Sequence, residues 1–342
     1  MKIRLLPLHE QVIVITGASS GIGLVTAKHA AMSGARVVLA ARNARALAQA
    51  VADIRARGSR AIHVLADVAN SQQVEGIADA ALREFGRIDT WVNNAAVSMY
   101  GRIMELSIED MRRQMDVNYW GQVYGSRVAV RQMRERGGAL INIASALADR
   151  AIPLQANYCA AKHAIKAFTD GLRMELEEQG VPVSVTLVKP ASIDTPFFEK
   201  AKTYLGVEPQ PVPPVYAPEV VSEVILHAAQ HPLREVIAGG SGAKLSAARL
   251  APRLADRYME RWTFDSQRTN KPVNGRPDNL YEPVDDDGGE RGRNWSGHTR
   301  GSSIYTKAML HPAAATAALM GVVAGVALTR ASRQAAQNRE PH

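Results

Sequence analysis

A chain of 342 residues with 46% hydrophobic content is long enough to bury a sizeable core as one large domain carrying an extension. Its formal charge of +8 comes from Lys and Arg that are scattered rather than run together, which argues against a nucleic-acid face. A single cysteine, Cys159, excludes an intrachain disulfide, and the basic N-terminus, interrupted by Pro7, His9 and Glu10, is not a secretory signal, so the chain reads as cytoplasmic.

Val12-Ile13-Val14-Ile15-Thr16 is an unbroken run rich in β-branched residues, the pattern of a strand buried on both faces of a parallel sheet. The stretch Thr16-Gly17-Ala18-Ser19-Ser20-Gly21-Ile22-Gly23 then opens a helix that carries Val25 and Ala30 and stops at Ser33-Gly34. Isolated, such glycines make a plain turn. Between a buried strand and a helix they suit a dinucleotide, because they permit close backbone approach while free amides and the helix dipole attract pyrophosphate. A second strand, 36–41, ends at Ala41-Arg42, where NAD binders usually place a carboxylate for the adenosine ribose. With no acid there, Arg42 can pair with a 2′-phosphate, which favours NADP (NADPH); the alternative is a solvated surface arginine.

A third strand, 61–66, delivers Asp67 and Val68. Asp67 can meet an adenine amino group or cap the helix that starts near Asn70. After Gly86, a strand at 88–92 leads into Asn93-Asn94-Ala95-Ala96, where amides and small residues allow close approach of a flat ligand but are also ordinary turn chemistry. A long helix from about Ser107 to Glu135 carries Asn118, and the buried strand 139–144 delivers Ser145. The next helix runs to about Gln179 and holds Tyr158 and Lys162 at i and i+4, on one face. At an effective dielectric of ~20, a charge ~4 Å from the phenol oxygen is worth about 4 kcal/mol, or roughly three pK units toward phenolate before desolvation takes some back. Tyr158 is therefore a candidate general acid or base, although Tyr-x-x-x-Lys also occurs by chance on amphipathic helices.

The sixth strand, 183–188, meets Pro190-Ala191-Ser192-Ile193-Asp194-Thr195-Pro196 at the end of the sheet where ligands bind. From there, Phe197 to Pro214 reads as a mobile substrate lid whose apolar and aromatic residues favour a hydrophobic or lipid-like ketone or alcohol. A helix at 218–231 and a last strand at 235–238 complete the alternation, which predicts a doubly wound parallel α/β sheet over residues 1–240.

On these residues the chain resembles the short-chain dehydrogenase/reductase family over roughly residues 8 to 240. The Thr-Gly-x-x-x-Gly-x-Gly loop, Asp67, Asn93-Asn94-Ala95, Asn118, Ser145, Tyr158, Lys162 and Pro190 with Ile193 and Thr195 appear in family order. The resemblance implies a seven-stranded Rossmann-type fold and NAD(P)-dependent hydride transfer to or from a carbonyl or alcohol, with Tyr158 as acid/base and Ser145 polarising the same oxygen. It implies that Lys162 lowers the Tyr158 pKa and binds nicotinamide-ribose hydroxyls, and that Asn118 holds a relay water. It places Gly17, Ser19, Gly21 and Ile22 around pyrophosphate and ribose, Asp67 and Val68 at adenine, Asn94 in support of the cofactor, and Ile193 and Thr195 at the carboxamide. Ala96 and Ala191 depart from the family's usual glycines. Members are commonly dimers or tetramers through the two long helices, so a homo-oligomer is implied. Epimerases and dehydratases also use Tyr/Lys pairs on this fold, and a cofactor-binding redox sensor or membrane scaffold without turnover is the remaining reading.

Beyond the fold, residues 241–308 read as a basic helix within 244–262 followed by a polar linker or irregular wrap, and residues 309–342 as an apolar helix with a basic tail. No metal site is expected: Asp285-Asp286-Asp287 reads as a solvated loop, and Glu223, His227 and His231 as an ordinary helix face. Residues 312–329 lack charge and contain Gly321-x-x-x-Gly325, which suits either a membrane anchor or a helix that packs in an oligomer.

Overall fold

Seven parallel strands form the centre of the molecule, each built on an apolar run of the chain. The computed structural model describes residues 3–247, 250–285, 287–317 and 320. The strands are β1 (Val12–Thr16), β2 (Arg36–Ala41), β3 (Ala61–Leu65), β4 (Thr90–Asn93), β5 (Gly138–Ile143), β6 (Val183–Pro190) and β7 (Glu235–Ala238), arranged β7-β6-β5-β4-β1-β2-β3. In register, Ile13 lies opposite Val37 and Thr90, and Leu140 opposite Trp91 and Val185. The sequence order reverses direction between β1 and β4, which opens the crevice at the carboxyl ends of the strands.

Strand alternation divides the core into two layers. Ile13, Ile15, Val37 and Leu39 face α1 (Gly21–Met32), α2 (Ala44–Ala56) and α7 (Pro218–Ala228), while Val12, Val14, Val38 and Trp91 face α3 (Ser71–Phe85) and α5 (Gly121–Met133). Burying each such aliphatic side chain stabilises the fold by about 1.5–3 kcal/mol. Side chains fix the helix starts: Asn43 accepts from Ala46 N at 2.9 Å to cap α2, and Asn70 caps α3 through Gln72 and Gln73. Gly86, at φ 74°, ends α3.

The single helix expected over 107–135 is instead three pieces. Ser107 caps α4 (Ile108–Met115), a π-helical turn occupies Asp116–Trp120, and α5 follows. The wider turn contains Asn118, whose amide clamps Val97, accepting from its N–H and donating to its carbonyl, both at 2.9 Å. The longest helix among the described residues, α6 (Ala156–Glu178), packs against this turn and β6.

On the α5 and α6 side of the sheet runs a buried polar chain. Trp91 Nε1 donates to Asn93 Oδ1 at 2.8 Å, Asn93 Nδ2 donates to Asn142 Oδ1 at 2.9 Å, and Asn142 Nδ2 donates to Thr169 Oγ1 at 3.0 Å. It ties β4 and β5 to α6 with each amide partnered.

Residues after β7 do not form a loose linker. Two helices, α8 (Gly240–Ala247) and α9 (Pro252–Ser266), replace the one periodic stretch expected over 244–262. The strand Arg268–Pro272 pairs antiparallel with Val207–Pro209, and Thr299–Arg300 pairs with Val215–Tyr216, which in turn pairs with Ser192–Ile193. Leu280 is fully buried in the main core, and α10 (Ile304–Leu310) packs Leu310 on the α7 side. The stretch has few apolar residues because backbone pairing, more than side-chain burial, holds it in place. Most of the apolar run at 312–329 lies outside the described residues, and among the described residues no helix is long and apolar enough to cross a membrane.

A Cβ on Gly125 would lie 2.0 Å from Asn93 Oδ1, whereas one on Gly171 in α6 would meet nothing within 4 Å. Gly125→Ala should therefore cost about 1–3 kcal/mol in urea denaturation, and Gly171→Ala should be neutral or stabilising. Equal midpoints for the two variants would contradict this packing.

Candidate active site

The carboxyl ends of β1 to β6 open into a cleft of about 930 Å³. Of the predicted site residues, Gly17, Ser19, Gly21, Ile22, Arg42, Asp67, Val68, Asn94, Ser145, Tyr158, Lys162, Ile193 and Thr195 all line it. Asn118 does not; it stands behind the wall, fully buried, holding Val97.

At one end is the turn between β1 and α1. Gly17 and Gly21 take φ of 66° and 53°, which side chains rarely adopt, and a Cβ on Gly17 would fall 2.7 Å from Ala95 Cα. Asn94 shapes this turn from below. Its Nδ2 donates to the carbonyls of Thr16 and Gly17 at 2.9 and 3.2 Å, and Thr16 Oγ1 accepts from the amides of Asn94 and Ala95. The role of Thr16 was missed, although its place before the first glycine was a signal. This narrow glycine cradle at a helix start fits a dinucleotide pyrophosphate, and the cleft is roomy enough for the rest of such a molecule.

Asp67 and Arg42 are both engaged. Asp67 accepts from Arg113 Nη2 at 2.5 Å and from Ala69 N at 3.0 Å, so its carboxylate closes a turn and an ion pair; the cap of α3 belongs to Asn70. Arg42 donates to the carbonyls of Tyr281 and Asn279 at 2.6 and 2.5 Å. Burial lowers its pKa, with Asp67 acting in the opposite sense. Asn279, Pro283, Val284 and Asp287 of the extension thus form the outer wall of this end, as an irregular wrap rather than a linker.

At the other end, α6 carries Tyr158 and Lys162 to the floor, and Ser145 stands at the turn after β5. The Ser145 hydroxyl accepts from Leu147 N at 3.1 Å and is hydrogen-bonded to the Tyr158 phenol. The Lys162 amine does not reach the phenol oxygen: it donates to the Ile143 carbonyl at 2.9 Å and lies 5.5 Å from the centre of the Tyr158 ring. Burial therefore controls both groups. It pushes the Tyr158 phenol up, with the Ser145 hydrogen bond opposing, and it brings Lys162 down from 10.5 to about 7. The i, i+4 spacing anticipates a lowered phenol with desolvation taking some of the effect back; in the structure desolvation is the larger effect.

Above this floor the wall is apolar. Phe197, Phe198, Val212 and Pro214 come from the segment expected to be a mobile lid, and Leu254, Tyr258, Met259 and Trp262 from α9. That segment is pinned: Tyr204 donates to Asp110 Oδ2 at 2.6 Å, Lys202 pairs with Asp110 at 2.6 Å, and Gln210 donates to the Arg268 carbonyl at 3.0 Å. The contribution of α9 had a sequence signal in its apolar spacing, but nothing tied it to the cleft. Among the described residues no group of three or more His, Cys, Asp or Glu side chains is placed to hold a metal.

Comparison with known proteins follows the same division. Residues 11–205 match the family model described as short chain dehydrogenase. The "Uncharacterized oxidoreductase YxnA" of Bacillus subtilis is 46% identical over 333 residues, covering 96% of this chain and 93% of that protein, so the similarity runs through the extension. A 3-oxoacyl-[acyl-carrier-protein] reductase of Synechocystis is 34% identical over 234 residues, covering 68% of this chain and 94% of its own. Among solved structures, an alcohol dehydrogenase from Thermococcus sibiricus complexed with 5-hydroxy-NADP superposes with a TM-score of 0.59 at 24% identity, over 66% of this chain and 95% of its own, a likeness of fold.

Because burial holds Lys162 near 7, the unfolded chain binds more protons than the native one between about pH 7 and its ordinary 10.5, and stability rises with pH through that window. Lys162→Met should flatten this rise and, below pH 7, be more stable than the parent by on the order of a few kcal/mol. Parallel stability curves for the two proteins would contradict the burial of an unpaired amine.

Proposed function

The chain belongs to the short-chain dehydrogenase family, an oxidoreductase family, and from that premise we propose that it is an NAD(P)-dependent reductase of apolar ketones or aldehydes, with the reverse alcohol oxidation favoured at higher pH. The observation that carries this reading is the meeting of a buried phenol, a hydroxyl bonded to it and a buried amine on the floor of a cleft whose far end is a glycine cradle.

Gly17, Ser19, Gly21, Ile22, Asn94, Asp67 and Val68 would hold the pyrophosphate and adenosine half of the nucleotide, and Lys162, Ile193 and Thr195 the nicotinamide half. A bound reduced nicotinamide supplies hydride to the carbonyl carbon. Tyr158 gives its proton to the carbonyl oxygen as charge builds there, and Ser145 donates a hydrogen bond to the same oxygen. A raised phenol pKa suits this direction, because the group arrives protonated at neutral pH and a developing alkoxide is a much stronger base than a phenolate. In the oxidative direction the phenol must first lose its proton, so the rate should climb as pH rises. Lys162 assists when protonated, by placing a positive charge near the ring. Asn118 positions the floor through Val97 and its π turn.

Three further features belong to this reading. Arg42 at the end of β2, with no acid beside it in sequence, supports NADPH over NADH. The aromatic and aliphatic wall from 197–214 and α9 supports a bulky, uncharged substrate. Exposed Trp120, stacked on Tyr124 at 6.0 Å, and exposed Met174 support a homo-oligomer built on α5 and α6. The reading as a non-catalytic nucleotide sensor is less well supported, because Ser145, Tyr158 and Lys162 all reach the same cleft.

Steady consumption of NADPH with a panel of ketones and aldehydes of increasing apolar size should identify a substrate, and Tyr158→Phe should lower kcat by about 10²–10⁴-fold while leaving nucleotide affinity within a few fold. Undiminished turnover by Tyr158→Phe would remove the phenol from the chemistry.

A further inference from the structure

The carboxylate that β2 lacks is supplied from elsewhere in the chain. Asp287 reaches back from the extension to the glycine turn, where it pairs with Lys200 and is hydrogen-bonded to the Ser19 hydroxyl. Lys200 also donates to Ser20 Oγ at 2.9 Å, and both members of the pair are more than nine-tenths buried. The placement is built from several sides. Gly21 N donates to the Gly289 carbonyl at 2.9 Å, Asn43 Nδ2 donates to the Val284 carbonyl at 2.8 Å, and Lys28 pairs with Glu290 at 2.7 Å. Asp287 lines the cleft together with Ser19, Arg42 and Lys200, and its charge acts on Arg42. Burial pushes its carboxyl up, but Lys200 and the Ser19 hydroxyl outweigh this and hold it below the usual carboxylate range, so it is an anion at neutral pH.

We propose that Asp287 is a specificity-determining residue of the nucleotide site, one that acts against the 2′-phosphate that Arg42 and Lys200 would otherwise attract. The inference rests on the pyridine-nucleotide reading above. Arg42 and Lys200 line this edge of the cleft with the carboxylates of Asp67 and Asp287; Asp67, paired with Arg113, acts more strongly on Arg42, and Asp287 cancels the charge of Lys200. An incoming 2′-phosphate meets the Asp287 anion at short range in a buried setting, whereas a ribose 2′-hydroxyl meets only an acceptor. The chain therefore has its attraction for the phosphorylated nucleotide set by an arginine at the end of β2 and restrained by an acid on the extension. A prediction of preference from the end of β2 alone sees only the arginine.

The test is equilibrium binding of NADPH and of NADH to the full chain, followed by nicotinamide fluorescence, in the parent and in Asp287→Asn and Asp287→Ser. Asp285→Asn, which removes the same charge from an exposed position of the same loop, is the control. Both Asp287 variants should bind NADPH at least about fivefold more tightly and NADH within about twofold of the parent, while Asp285→Asn moves neither. Equal changes for the two nucleotides would show that Asp287 only holds the wall in place. A fivefold gain in Asp285→Asn as well would show a diffuse charge effect, and either result overturns the proposal. If one Asp287 variant fails to fold, the other decides. Failure of the parent to bind either nucleotide would instead overturn the pyridine-nucleotide reading, and this inference with it.

Discussion

The hydrogen bond from the Lys162 amine to the Ile143 carbonyl fixes the geometry of the cleft floor. It fastens α6 to the carboxyl end of β5, 2.9 Å from nitrogen to oxygen, and so sets Tyr158 on the floor of the cleft beside Ser145. Among the described residues no acid neutralises the amine, and the surroundings that exclude water from it also exclude water from the phenol. One burial therefore shifts two groups in opposite directions, toward a protonated tyrosine and a lysine poised near neutrality. The lysine's proton count near pH 7 then responds to anything that changes the polarity of the floor, which makes it a sensitive partner for the phenol.

The other half of the cleft depends on chain that a dinucleotide-binding domain does not require. The carbonyls of Asn279, Tyr281 and Gly289 close the outer wall by accepting from Arg42 and Gly21, while α9 and the strand Arg268–Pro272 support the apolar wall. The extension and the glycine turn therefore form one site. The long match to the Bacillus subtilis relative, 96% of this chain, includes this wall along with the sheet.

The sequence made the sheet legible because its strands are β-branched runs and its helices carry their own caps, as at Asn43 and Asn70. It made the cradle legible because only glycine accepts the backbone at Gly17 and Gly21. Three features were hidden for identifiable reasons. The π turn around Asn118 has no glycine or proline to announce it; it is held by a side-chain clamp on Val97, 21 residues away in sequence. The direction of the Tyr158 shift depends on burial, which spacing on one helix does not report. The composition of the extension left linker and irregular wrap open, because hydrophobicity is its least informative property: its carbonyls and Asp287 do the holding. The apolar run at 312–329 falls mostly outside the described residues, so its two readings stand as the composition leaves them.

The claim beneath all of this is that burial, more than the neighbouring amine, governs the Tyr158 phenol. The most direct measurement is a tyrosinate absorbance titration of the parent minus that of Tyr158→Phe, which isolates this one ring among nine tyrosines. The account predicts that the difference stays flat up to and beyond the ordinary tyrosine value of 10.0. A tyrosinate step in the difference spectrum near neutral pH would contradict it.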